Sequence, residues 1–117
     1  MKIRIKGNSL RYRLTKSDVD RFSNEGYLEE TTNFGNQALI YALKSAKVDK
    51  LTAEFKSNRI TLFMPSSMVS EWALTNIVGF EDNSNSLYLL VEKDFKCLDN
   101  VAEDQSDNYP NPLAVRV

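Results

Sequence analysis

The chain has 117 residues, 42% hydrophobic and 26% charged, with a formal net charge of −1, which is the size and makeup of one soluble globular domain with a real core. It contains no histidine and one cysteine, Cys97, which excludes imidazole acid–base catalysis, Ser-His triads, most zinc sites and any internal disulfide. No apolar run approaches the ~18 residues of a membrane span and the charge-alternating start is not a signal peptide, so the reading is a cytoplasmic protein with no membrane association.

In chain order, Lys2 to Lys6 and Leu10 to Leu14 alternate apolar with charged residues around a Gly7-Asn8-Ser9 turn, which predicts a β-hairpin. Thr15 is placed to cap a helix of about 10 residues, with Asp18 in its first turn and Gly26 as its stop. Tyr27 to Phe34 is β-prone, Gly35-Asn36 is a turn, and Ala38 to Leu43 fits a buried strand or a short helix, with Ile40 and Tyr41 favouring strand. Leu51 to Lys56 and Arg59 to Met64 flank Ser57-Asn58 and give the clearest hairpin, with Phe55 and Ile60 among its inward residues. Ser66 or Ser67 can cap a second helix whose Met68, Val69, Trp72 and Ala73 stripe faces a sheet. Ile77, Val78 and Phe80 suit a short strand, and residues 81–86 a polar loop.

The central stretch is Leu87 to Leu98. Leu87, Leu89 and Val91 share one face and Tyr88 and Leu90 the other, so the strand is apolar on both sides at its start. Beyond Leu98 the composition turns acidic, with Asp99, Glu103, Asp104 and Asp107, and contains Pro110 and Pro112. No internal repeat is visible. The expected architecture is α+β: a strongly twisted, mostly antiparallel sheet or small, partly open barrel of about six or seven short strands, with two short helices. Residues 1–98 form the single domain, and residues 99–117 form an acidic, proline-containing tail packed on it.

Charge is segregated. Residues 1–17 contain six cations and no anion, so the other nine cations and all sixteen anions fall in the remaining hundred residues. Strand alternation puts Lys2, Arg4, Lys6, Arg11 and Arg13 together on the outer face of the first hairpin, where they can gather a phosphate or another polyanion. A charged, solvated strand face is the plainer reading of the same residues. With no aromatic on that face to stack a base, sequence-specific nucleic acid is disfavoured. Glu92 and Asp94 share a strand face and, with Glu54 or tail carboxylates, offer oxygen ligands for a divalent cation, although solvated or paired carboxylates are the commoner outcome. Cys97, facing inward, reads as inert.

The blocks Met1 to Ser9, Val91 to Asp99, Glu103 to Asp107 and Tyr109 to Pro112 resemble a group of small uncharacterised bacterial proteins, a domain of unknown function. The resemblance covers nearly the whole chain, implies a bacterial cytoplasmic protein and carries no activity. The triphosphate-tunnel enzymes offer only an architectural analogy, because residues 1–14 contain no Glu and so lack their Glu-x-Glu-x-Lys motif.

These readings give a non-enzymatic binding module without a cofactor. It contacts an acidic or phosphate-bearing ligand or protein through Lys2, Arg4, Lys6, Arg11 and Arg13. The alternative is a small metal-assisted hydrolase or transferase acting on a phosphorylated substrate. The acidic tail is expected to fold back over the basic face, anchored by Tyr109 and Leu113.

Overall fold

A computed structural model describes residues 1–95 and 105–111. Eight strands and two helices follow one another as β1 (Lys2–Lys6), β2 (Ser9–Leu14), α1 (Lys16–Glu25), β3 (Tyr27–Asn33), β4 (Ala38–Ala46), β5 (Thr52–Lys56), β6 (Arg59–Pro65), α2 (Ser66–Leu74), β7 (Gly79–Asp82) and β8 (Tyr88–Lys93). They form two four-stranded sheets, ordered β1-β2-β8-β7 and β3-β4-β6-β5. The α+β class stands, but the single twisted sheet or barrel does not. Each sheet is also mixed, because β2 runs parallel to β8 and β4 parallel to β6.

The two halves of the chain share one topology. Each runs β-β-α-β-β, and exchanging the halves converts the order β1-β2-β8-β7 into β5-β6-β4-β3, with the same senses of pairing. From the first strand to the helix the elements of the two halves correspond at a constant offset of 50 residues, so that Leu10, Leu14 and Phe22 match Ile60, Met64 and Trp72. Matching backbone bonds follow. Tyr88 donates to Asn8 as Ile40 does to Asn58, and Lys93 donates to Val78 as Ser45 does to Gly26. The sequence conceals this duplication because β-sheets and helices conserve only which face is apolar.

One core joins the two sheets and the helices. Leu10, Tyr12, Leu14, Leu89 and Val91 from the first sheet meet Leu28, Leu43, Ile60, Leu62 and Met64 from the second. The Tyr12 hydroxyl donates to the Ile60 carbonyl at 3.2 Å, and its ring meets Tyr41 edge-on. Val19 and Phe22 of α1 and Val69 and Trp72 of α2 complete the core. The Trp72 indole N–H donates to the Val78 carbonyl, so the ring is buried without a lost hydrogen bond.

Local signals explain most boundaries. Thr15 and Asp18 form a reciprocal capping box, and Gly26 closes α1 in the left-handed conformation. The start of α2 differs from expectation. Pro65 stands at its N-cap without a side-chain cap bond, while the Ser66 hydroxyl turns away to Ser45 and the Ala46 carbonyl. Gly79 is required sterically, because a Cβ there would lie 2.2 Å from the Val91 carbonyl oxygen.

The helices lie beyond Leu14 and Pro65, the ends of β2 and β6, so all four hairpin turns gather at the opposite end of the molecule. Of the tail, residues 105–111 return to the helix end. Tyr109 bridges to Phe95 and lies under the Lys93 ammonium. Among the described residues no helix is long and apolar enough to cross a membrane.

Candidate functional site: a basic face closed by β8

The register of the first hairpin places Lys2 across from Arg13, Arg4 across from Arg11, and Lys6 across from Ser9. All five cations therefore share the outer face of the sheet, because strand side chains alternate. What the sequence did not reveal is the neighbour on the far side of β2. Strand β8 brings Tyr88 beside Ser9, Leu90 beside Arg11 and Glu92 beside Arg13.

This neighbour divides the basic face. At the helix end, the Arg13 Nε lies 2.8 Å from Glu92, and the Lys2 ammonium lies 3.1 Å from the buried carboxylate of Asp94. At the turn end, among the described residues, the only carboxylate within ion-pair distance of a cation is Glu92, at a long 3.8 Å from Arg11. Among the described residues no carboxylate comes within ion-pair distance of Arg4 or Lys6. The five cations have no carboxylate partner within their own hairpin, but Glu92 and Asp94, some eighty to ninety positions away in sequence, neutralise one end of the face.

Arg4, Lys6, Ser9, Arg11 and Tyr88 line a shallow pocket of about 120 Å³. The Ser9 hydroxyl donates to the Lys6 carbonyl, which tightens the turn. The Tyr88 hydroxyl donates to Glu81, and that bond pushes the phenol above its ordinary pKa. Tyr88 also corrects the expectation that no aromatic lies on this face. Its alternation relative to Leu89 was visible in the sequence, but its place beside the basic hairpin depends on the parallel pairing of β2 with β8.

The carboxylates that suggested a metal are engaged elsewhere. Glu92 and Asp94 serve the cations described above, and Glu54 belongs to the other sheet. Among the described residues no three acidic or thiol groups come together in a cage. Cys97, Asp99, Glu103, Asp104 and Leu113 lie outside the described residues. Asp107 does not reach the basic face. Its carboxylate accepts hydrogen bonds from the Ser17 hydroxyl and backbone N–H at the start of α1, where an anion is favoured. These bonds, with the Thr15 hydroxyl, hold the Asp107 carboxyl below the usual range.

The equivalent face of the second sheet has a different chemistry. At the positions of Arg4, Arg11 and Arg13 it carries Glu54, Thr61 and Phe63. Its Arg59 is bound to Glu29 at 2.8 Å and to the Tyr27 hydroxyl.

Fold and face together define a duplicated β-β-α-β-β domain with one basic surface. The chain belongs to a family of unknown function, DUF7009, whose model matches residues 1–113. No curated protein and no solved structure matches it.

Proposed function

We propose that this protein is a binding module that holds a phosphate-bearing or acidic partner on the turn end of its basic hairpin face, through Arg4, Lys6 and Arg11. The observation that carries this reading is the charge left largely uncompensated there among the described residues. Arg4 and Arg11 are opposed across the ladder, and among the described residues the nearest carboxylate contact to either is the 3.8 Å one from Glu92 to Arg11. Like charges placed directly opposite one another are destabilising, and an anion seated between them relieves that repulsion. The second half of the chain supports the reading by contrast. It builds the same sheet with Glu54 and Thr61 in those places, so the fold itself does not require the cations.

Guanidinium forks suit planar or tetrahedral oxyanions, and a pocket of about 120 Å³ has the scale of one anionic group, not of a whole nucleotide. The test is retention on phosphocellulose at low salt, with elution as salt rises. Arg4→Glu combined with Arg11→Glu abolishes retention, whereas Arg13→Glu, which removes a cation already paired, retains most of it. A wild-type chain that flows through at low salt overturns the reading.

A further inference from the structure

Behind the basic pocket, on the inner face of the same hairpin, the gathered turns leave a mostly apolar cleft of about 390 Å³, whose lining also includes Asn8 and Glu54. Its walls come from equivalent positions of the two halves: Ile5 with Phe55, Leu10 with Ile60, and Leu39 with Leu87. At the other end of the sheets the helices plug this space; here nothing among the described residues does. Ile5 is consequently 61% and Phe55 69% exposed, although both belong to the apolar faces of their strands. Large apolar side chains exposed around a concavity mark a ligand site more often than isolated surface residues do.

The cleft and the basic pocket share a wall. Ser9 lines both, and Ile5 lies between Arg4 and Lys6 on a strand whose alternation sends it into the cleft and them onto the outer face. Strand β1 is the edge of its sheet, so no further strand separates the two concavities along that border. We infer that the two form one composite site for a soluble amphipathic anion, whose single alkyl chain or aryl group fills the cleft while its phosphate or carboxylate head rests on Arg4, Lys6 and Arg11. Charge complementarity selects an anionic head, and a cleft of this volume takes one hydrocarbon group, not the paired chains of a bilayer lipid. The inference rests on the anion-binding reading above.

Calorimetric titration of the whole chain with inorganic phosphate, decyl phosphate below its micelle-forming concentration and octyl glucoside separates the two ideas. Decyl phosphate is expected to bind at least about tenfold more tightly than inorganic phosphate, because burying even a few methylene groups is worth that much. Octyl glucoside, which lacks the charge, binds weakly. Phe55→Ser and Ile5→Ser, both at exposed positions that the core does not need, reduce the decyl phosphate affinity towards that of inorganic phosphate and leave the latter unchanged. If inorganic phosphate binds and the alkyl chain adds nothing, the composite site is wrong while the anion site survives. If no phosphate compound binds, both fall. Equal binding of octyl glucoside, binding only to anionic vesicles, or self-association lost in Phe55→Ser without any gain from the alkyl chain would each overturn the composite site.

Discussion

Arg4 faces Arg11 directly across the β1–β2 ladder. A few residues further along the same ladder, Lys2 and Arg13 face each other as well, but Asp94 and Glu92 attend them. The two like-charged pairs therefore differ in what surrounds them, and the difference predicts opposite responses to mutation. Arg4→Glu replaces a repulsion by an attraction and should stabilise the free protein by about 0.2–1 kcal/mol while weakening anion binding. Glu92→Gln leaves Arg13 without its carboxylate and lowers stability. Chemical denaturation of both variants in low salt checks the signs.

Inorganic phosphate, if it binds where proposed, raises the unfolding midpoint of the wild-type chain in proportion to the logarithm of its concentration. The Arg4→Glu chain, more stable without phosphate, shows no such rise. Thermal scans of both chains at several phosphate concentrations and constant ionic strength provide the comparison.

The β5–β6 turn carries backbone strain. Ser57 and Asn58 both have positive φ, 53° and 60°, as the tight hairpin turn demands. Asparagine tolerates this conformation better than serine does. Ser57→Gly is expected to stabilise the protein by up to about 1 kcal/mol, measured by denaturant unfolding. A loss of stability would show that the Ser57 side chain is needed there.

Much of this fold was legible from local chemistry. The Gly7-Asn8 and Ser57-Asn58 turns, the Thr15 cap with Asp18 in the first turn and the alternation through Leu89 and Val91 each act within a few residues, and the structure contains the corresponding elements. Sheet partnership was not legible, because β2 and β8 are joined by no local signal. That one pairing decides that Glu92 neutralises Arg13 and that Tyr88 enters the pocket. The duplication was hidden for a related reason. Lys6 and Lys56, Asn8 and Asn58, Ser17 and Ser67, and Val19 and Val69 coincide at the 50-residue offset, but the core positions vary among apolar types, as packing allows. Phe55 was expected to be buried by alternation; it is exposed because alternation gives the face of a sheet and not whether anything covers its end.

The Asp107 carboxylate on the start of α1 makes the tail contact sensitive to acid. Its folded pKa is depressed, so the stability it contributes is present above the ordinary aspartate value of about 3.9 and is lost as pH falls through the folded value. Asp107→Asn should therefore be less stable than the wild type at neutral pH, and the gap should close below about pH 4. Urea unfolding of both chains across that range reads it directly. A gap independent of pH would assign the loss to altered hydrogen bonding and not to charge.

Leu89 and Val91 of β8 are buried between strands β2 and β7. Leu89→Ala should cost on the order of 2–5 kcal/mol. Gly79→Ala, which drives a methyl group into the Val91 carbonyl, should cost about 1–3 kcal/mol as an overpacking substitution. A loss below about 1 kcal/mol at Leu89 would mean that β8 is not central to stability.

If the proposal holds, anion binding is confined to the turn end of the basic face and does not extend along its whole length. The most direct measurement follows the side-chain Nε–H resonances of Arg4, Arg11 and Arg13 as inorganic phosphate is titrated in at constant ionic strength. Saturable shifts are expected for Arg4 and Arg11 at one common affinity, with Arg13, held by Glu92, almost still. Equal shifts for all three, or none for any of them, would contradict the proposal.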